Sequence, residues 1–176
     1  MPQGLATAPS WPREIYEVLR RHRVSVFGFV PDGGHKALIE HAQADGGVQA
    51  VSLTTEEEGV GLIAGCDLAF GRATLLLQSS GVGNIVNYLS LVKVGRFPVL
   101  LLVAMRGGYG EGNPWQFPMG EAVVPVLDAM GVASVPVDRP EDAAAAVDAA
   151  ATMVFQGGRS VAVLLTQRLI GAKKFV

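Results

Sequence analysis

Three adjacent glutamates, Glu56–Glu58, follow a predicted strand and begin a predicted helix. A carboxyl group can give up or take a proton, so a glutamate at such a point is a candidate for acid–base chemistry. Thr55 and Glu58 have the spacing of a helix capping box, which accounts for Glu58 without any function. Because three neighbouring carboxylates repel one another, we expect Glu56 or Glu57 to serve another purpose, and these residues alone do not choose between them.

The segment QSSGVGN, residues 78–84, joins a predicted buried strand to the next predicted helix. It is not a dinucleotide-binding fingerprint, because Val86 stands where a third glycine is needed and no acidic residue ends a strand about 20 residues later. Ser79 and Ser80 also lack the flanking glycines of a hydrolase nucleophile elbow. Two interpretations remain: a turn that brings the backbone close to a flat or anionic ligand, or a plain tight turn.

A third strand-to-helix turn, VPDGGHK, covers residues 30–36. Asp32 is a candidate helix cap. His35 and Lys36, near a helix start, could add positive charge for an anionic substrate. His35 and His41 are six positions apart and so do not share a helical face, which argues against a metal-binding pair.

The fourth turn is a loop over residues 106–120, which is long for a compact domain. Such loops are usually lids, binding loops or disordered segments. This one places Arg106 and several aromatic residues among glycines, and we expect a mobile element that closes over a ligand. Trp115, Phe117 and Met119 are large and apolar, so we expect them to be buried.

Alternating apolar and amphipathic segments predict the elements that position these turns. Helices are predicted from near Trp11 and over 33–44, 55–70, 82–94, 119–130 and 140–155, and strands over 24–29, 48–53, 73–78, 99–104, 133–137 and 161–165. Most strands are continuous apolar runs, which indicates a sheet covered on both faces. The expected fold class is α/β, with a doubly wound, mainly parallel sheet of about six strands and helices on both faces. Such sheets bind ligands at the carboxyl ends of their strands.

Composition limits the architecture and the class of partner. The 176 residues suffice for one domain, expected over 11–176 after a flexible tail at 1–10. Hydrophobic residues make up 49% and charged residues only 17%, which favours a large subunit interface. A net charge of −2 with scattered Lys and Arg argues against nucleic acid.

Two further observations concern cysteine chemistry and cellular location. A single cysteine, Cys66, excludes an intramolecular disulfide and a cysteine-based zinc site. No apolar stretch has a membrane-spanning length, and the first residues lack the pattern of a secretory signal. We therefore expect a soluble, cytoplasmic protein.

Three motifs in this order, EEEGVGLIAG, QSSGVGN and RGG…E…WQFPMG, resemble the pyrimidine-binding domain of thiamine-diphosphate-dependent decarboxylases. The resemblance covers about residues 12–170 and is greatest to the alpha subunits of the sulfopyruvate decarboxylase family, followed by phosphonopyruvate decarboxylases. It implies a carboxy-lyase in which one glutamate interacts with N1′ of the cofactor's aminopyrimidine ring and so activates the cofactor for addition to a 2-oxo acid.

The resemblance also implies roles for single residues. In the family the catalytic glutamate lies nine positions before a glycine of the same helix, and counting back from Gly65 gives Glu56, with Glu57 as the second choice. The residues implied near the pyrimidine ring are Ser80, Gly81, Gly83 and Asn84, and those implied on the substrate side are Asp32, His35, Arg106 and Gln116.

One family feature is missing from this sequence. Family members hold the diphosphate through Mg²⁺ with a Gly-Asp-Gly motif, and none occurs here, so no metal ligand is expected in this chain. The resemblance therefore implies a separate diphosphate-binding beta subunit of similar size, in a hetero-oligomer of at least two alpha and two beta chains. The implied substrate is a 2-oxo acid with a second anionic group, such as sulfopyruvate.

Other functions stay open at this point. The enzyme could act on phosphonopyruvate or another 2-oxo acid, or join two substrates as a carboligase. A rival of another class is a non-catalytic α/β module that binds a nucleotide or another anion at the QSSGVGN segment and the helix N-termini.

Overall fold

A parallel sheet of six strands forms the centre of the computed structural model, which describes residues 10–172. The strands are β1 (Val26–Phe29), β2 (Gln49–Ser52), β3 (Ala73–Gln78), β4 (Leu100–Ala104), β5 (Ala133–Val137) and β6 (Val161–Leu165). Their order across the sheet is β2-β1-β3-β4-β6-β5. The predicted tail at 1–10 lies outside the described residues, apart from Ser10.

Helices cover both faces of this sheet. In the described residues they are α1 (Trp11–Arg21), α2 (Lys36–Ala44), α3 (Glu56–Leu68), α4 (Ser79–Ile85), α5 (Leu89–Gly95), α6 (Phe117–Ala129), α7 (Pro140–Phe155) and α8 (Gln167–Ile170). One apolar core joins the sheet to α1, α2 and α7, and a second joins it to α3, α4, α5 and α6. The predicted fold class is confirmed.

Within residues 10–172, no helix combines the length and the apolar character that a membrane crossing requires.

Burial along the strands explains why the sequence shows apolar runs. Strands β4 and β6 are buried over their whole length, and β3 over all but its last residue, because helices lie on both sides of them. The edge strands β2 and β5 are only partly buried. Pro136, which has no backbone N–H to donate, lies in the edge strand β5, where a missing donor disrupts least.

The segment after β3 differs from its prediction. The predicted helix over 82–94 is two helices, and the first of them, α4, begins at Ser79 directly after β3. The chain passes from Gln78 of β3 into α4 without an intervening turn, which differs from both interpretations of residues 78–84 as a turn. α4 is short, in keeping with the low helix propensity of the glycines and the asparagine in it.

The chain after β4 is held by a single carboxylate. Glu111 has a fully buried side chain that accepts hydrogen bonds from Arg106 at 2.7 and 2.9 Å. It also accepts from the backbone N–H groups of Gly107, Gly112 and Asn113, and from the Gln167 amide at 3.1 Å. A short 3-10 helix, Pro114–Gln116, then leads into α6. The base of this segment is thus fixed to α8, and closure of the remainder over a ligand stays a prediction.

The apolar side chains of this segment also differ from expectation. Trp115 is 84% exposed and Phe117 is exposed as well, so their predicted burial is wrong for the chain by itself. Met119 is partly buried against the core that includes α6. The fixed loop thus presents an indole ring to the outside.

Through Glu111, the free energy of unfolding should depend on pH. Its hydrogen bonds, first of all those from Arg106, hold the pKa of this carboxyl at about 2, below its usual value of 4.5. A lowered pKa gives stability that is present above pH 4.5 and is lost as the pH falls toward 2. We expect thermal unfolding of the wild type to shift to lower temperature over this range.

The Glu111→Gln variant supplies the comparison. It leaves Arg106 buried without its partner, so we expect it to be less stable at pH 7 by roughly 3 kcal/mol. Its loss of stability on acidification should also be smaller than that of the wild type. Equal slopes for the two proteins between pH 4.5 and 2 would contradict the assignment.

Candidate active site

The carboxylate of Glu56 lies between the first turns of α3 and α4. The side chain is 7% exposed, although Glu56 is the first residue of its helix. Oε2 accepts a hydrogen bond from Asn84 Nδ2 at 2.8 Å. A Cβ at Gly81 would lie 2.7 Å from Glu56 Cδ, so a glycine at this point lets the carboxylate approach the α4 backbone. Three of the predicted residues therefore meet at one place.

The two neighbouring glutamates have different surroundings. Glu58 accepts a hydrogen bond from the Thr54 N–H at 2.8 Å and not from that of Thr55, so the predicted capping box does not form. Thr55 occupies the N-cap position without a side-chain bond to the helix. Glu57 is partly buried, and its Oε2 is buried with no hydrogen-bond partner in the described part of the chain.

A chain of polar side chains crosses the carboxyl ends of β1 and β3. Asp32 Oδ2 accepts from the Gly34 N–H at 2.7 Å, and its Oδ1 accepts from Gln78 Nε2 at 2.8 Å. Ser80 Oγ donates to Gln78 Oε1 at 2.8 Å. Asp32 is thus not the N-cap of α2, a position that His35 occupies. Its carboxylate instead joins the β1–α2 turn to α4.

His35 is buried below the carboxyl ends of β1 and β3 and does not face solvent. Its side chain is 1% exposed, and Nε2 is 3.1 Å from the Leu77 carbonyl oxygen of β3. Burial lowers the pKa of the imidazole from its ordinary value of 6.5, so the ring is neutral at neutral pH. The expected positive charge for a substrate does not come from this residue.

Arg106 and Gln116 lie at the two ends of the fixed loop. The Arg106 side chain is buried against Glu111, and its backbone N–H donates to Ser79 Oγ at 3.1 Å, which connects the loop to α4. Gln116 Oε1 is buried without a partner among the described residues. The Gln116 carbonyl is in close contact with Gly107, which has a positive φ of 76°.

The last predicted residue, Gly83, is exposed on α4. A Cβ there would lie 3.0 Å from the sulfur of Met119, so α4 and α6 approach each other closely at this point. The start of α4 is therefore enclosed by α3 on one side and α6 on the other.

Sequence reasoning gave no role to three residues that organise this edge, Gln78, Glu111 and Gln167. Gln78 is the first residue of the QSSGVGN segment, but nothing in the sequence pattern assigned it a role of its own. Glu111 is a lone carboxylate five residues after Arg106 in a glycine-rich segment, and that spacing could have indicated an ion pair. Gln167, which binds both Glu111 and the Gly108 N–H, is distant in sequence and carried no such indication.

The arrangement holds one buried carboxyl group against the first turn of α4. Glu56 uses one oxygen for Asn84, and in the described residues Glu56 Oε1 makes no hydrogen bond. A carboxyl group held in this way can exchange a proton with a ligand atom placed against it. A buried carboxyl group next to an amide donor is chemistry that suits a ligand with a ring nitrogen.

Relatives of the chain carry consistent names, while no protein-family profile matches it. The sulfopyruvate decarboxylase subunit alpha of Methanocaldococcus jannaschii is 31% identical over 151 residues, which cover 85% of this chain and 89% of that protein. The sulfopyruvate decarboxylase of Methanosarcina acetivorans is 37% identical over 120 residues, 68% of this chain and 30% of that longer protein.

A solved structure has the same fold. The 2-oxoglutarate:ferredoxin oxidoreductase from Magnetococcus marinus matches with a TM-score of 0.74 and 11% identity, over 91% of this chain and 29% of that one. At that identity the match concerns the fold alone. The sequence relatives decide the family: the chain belongs to the sulfopyruvate decarboxylase alpha-subunit family.

Proposed function

We propose that this chain is the pyrimidine-binding alpha subunit of a thiamine-diphosphate-dependent 2-oxo acid decarboxylase. The observation that carries the proposal is the buried Glu56 carboxylate, which meets Gly81 and Asn84 at the junction of α3 and α4. These residues suit the pyrimidine end of the cofactor, because Glu56 Oε1 makes no hydrogen bond to the described residues and the carboxyl group could face a ring nitrogen. A non-catalytic anion-binding module would have no use for a buried acid at this point.

Glu56 would act on the pyrimidine end of the cofactor. When bound, thiamine diphosphate supplies a nucleophilic carbon and accepts the electron pair released when carbon dioxide leaves. Glu56 would hold a hydrogen bond and a proton at N1′ of the aminopyrimidine. Asn84 fixes one carboxylate oxygen, so that the other is directed at the ring. Ser80, Gly81 and Gly83 form the helix start against which the ring would lie.

A partner chain would supply what this sequence lacks. The Gly-Asp-Gly motif for Mg²⁺ and the diphosphate is absent, and the relative from Methanocaldococcus jannaschii is named as a subunit alpha. We assign Mg²⁺ and the diphosphate to a beta subunit of similar size, in an assembly of at least two alpha and two beta chains.

An exposed apolar surface next to the site suits such a partner. We call it the α3–α5 face, and it comprises Gly61, Gly65, Leu68, Tyr88, Leu91 and Val94. Val94 is 85% exposed, and the two glycines have open space where a Cβ would be. Because α3 begins at Glu56, a chain docked on this face would reach the site.

The proposed substrate is sulfopyruvate or a similar 2-oxo acid with a second anionic group. The names of the relatives support this choice, since both carry sulfopyruvate in their names. Asp32 and Arg106 lie near the start of α4, and Gln116 lies against Gly107 of the loop. These three are the substrate-side residues of the proposal, with His35 as buried support.

Removal of the Glu56 carboxyl should abolish turnover. We expect Glu56→Gln to lower kcat at least about 100-fold in the complex with the beta subunit, because proton exchange at the ring is lost. The fold should persist, as measured by circular dichroism. Glu58→Gln is the matched control and should stay within about threefold of wild type. A larger loss in Glu57→Gln than in Glu56→Gln would move the catalytic role to Glu57.

The close approach at Gly81 gives a second test. A methyl group at this position overlaps the Glu56 carboxylate, whose flexible side chain must then move away. We expect Gly81→Ala to fold normally yet lose most of its activity and cofactor affinity. Gly46→Ala is the control, because a Cβ at Gly46 has no neighbour within 4 Å. Wild-type activity in Gly81→Ala would contradict the proposed site.

Charges placed on the α3–α5 face should weaken assembly. We expect the double variant Leu68→Lys/Val94→Lys to remain folded but to bind the beta subunit at least tenfold more weakly, since apolar anchors dominate most interfaces. Ala149→Lys on α7, exposed on the opposite side of the sheet, should bind like wild type. Size-exclusion chromatography and titration of the two chains measure the effect. Undiminished binding of the double variant would place the beta subunit elsewhere.

A further inference from the structure

Arg106 forms part of the wall of a cavity at the carboxyl ends of the central strands. The cavity has a volume of about 160 Å³ and is lined by Arg106, by Asp32, Gly33 and Gly34 of the β1–α2 turn, and by Ile170 and Gly171 at the end of α8. Since a water molecule occupies about 30 Å³ of the liquid, the cavity holds several waters or one small acidic group with a few carbons.

The guanidinium group of Arg106 is fixed in orientation. Its Nε and Nη2 donate to the two oxygens of Glu111, and the residue is 7% exposed. Its remaining nitrogen, Nη1, makes no hydrogen bond to the described residues. A bidentate pair of this kind holds the plane of the guanidinium as well as its position.

Glu111 is itself immobilised by the backbone around it. Three backbone N–H groups and the Gln167 amide donate to the same carboxylate that holds Arg106. Gln167 in turn accepts from the Gly108 N–H at 2.7 Å. The position of Arg106 is thus set by the loop and by α8 together.

The other two cationic candidates at this edge are less suited to hold an anion. Lys36 has a side chain that is 76% exposed and is paired with Glu40 at 3.3 Å. His35 is buried, and that burial lowers the pKa of its ring. Arg106 alone of the three combines a permanent charge with burial beside a cavity.

The negative charge of Asp32 limits which ligands can bind in the cavity. Asp32 is a carboxylate in the same wall, and both of its oxygens already accept hydrogen bonds. A second anion next to Asp32 is disfavoured by repulsion. An anionic group in this cavity would therefore have to lie away from Asp32, at the Nη1 edge of Arg106 that Glu111 leaves free.

We infer that Glu111 is a positioning residue that fixes Arg106, so that the free edge of Arg106 binds one anionic group of the substrate in this cavity. The inference rests on the proposed function. The substrate group bound by Arg106 is either the carboxylate or the sulfonate, since a guanidinium binds both kinds of oxyanion. Glu111 itself touches no substrate. It acts through the Arg106 guanidinium and through the loop that it orders.

The kinetic test uses the complex of alpha and beta chains with cofactor. Arg106→Gln should raise the KM for sulfopyruvate at least tenfold with a smaller change in kcat, because a ground-state contact is lost. Glu111→Gln should raise the same KM, and the double variant should be no worse than Arg106→Gln, since the two residues act as one unit. The exposed ion pair Arg13–Glu17 gives the matched controls Arg13→Gln and Glu17→Gln, which should leave KM unchanged.

A second substrate identifies the group that is bound. With pyruvate, which lacks the sulfonate, an unchanged KM in Arg106→Gln assigns the sulfonate to Arg106. A raised KM for both substrates assigns the carboxylate. An unchanged KM for both substrates in Arg106→Gln overturns the inference.

Hydrogen exchange on the cofactor-free complex tests the positioning role by itself. In Glu111→Gln, the amides of Gly107, Gly112 and Asn113 should exchange at least tenfold faster than in wild type, while amides of β4 should be unchanged. Unchanged loop exchange would overturn the role of Glu111. If the wild-type complex decarboxylates no 2-oxo acid, the proposed function fails; if it does and Arg106→Gln is kinetically normal, this inference alone fails.

Discussion

The contact between Glu56 and Gly81 depends on the spacing of the parallel sheet. α3 starts at the end of β2 and α4 at the end of β3, and these strands lie on either side of β1. Two strand spacings amount to about 10 Å, which is also the distance at which two helices pack. The sheet therefore brings the two helix starts together on one face. A glycine at position 81 then lets a carboxylate enter between them.

Two buried carboxylates near this edge differ in how their oxygens are satisfied. Glu111 receives six hydrogen bonds, from Arg106, Gln167 and three backbone N–H groups, and its charge is fully engaged in structure. Glu56 receives one, from Asn84. A carboxyl group with spare acceptor capacity can take part in proton exchange, whereas a saturated one cannot do so without breaking the loop that it holds. The number of hydrogen-bond donors to each carboxylate therefore distinguishes the structural role of Glu111 from the proton exchange proposed for Glu56.

The sequence was a good guide wherever a property depends on neighbours along the chain. Apolar runs such as that of β4 predicted the sheet. The motif resemblance, and no local pattern, implied that Glu56, Gly81 and Asn84 lie at the same pyrimidine ring. Sequence-based prediction failed where long-range contacts decide. The burial of His35 depends on β3, and the order of the loop depends on Gln167 of α8, 56 positions from Glu111. Trp115 is exposed because no other part of the described chain packs against it. A local sequence pattern does not contain that information.

The exposed α3–α5 face affects the stability of the unassembled chain in the cell. Apolar groups exposed in this way are a route to aggregation and to recognition by chaperones and proteases. Binding of a partner to the folded chain stabilises it by mass action, in proportion to the logarithm of the partner's free concentration. If the proposed beta subunit covers the α3–α5 face, copies made in excess of it would be removed first. The amount of this protein in the cell would then follow the supply of the beta subunit.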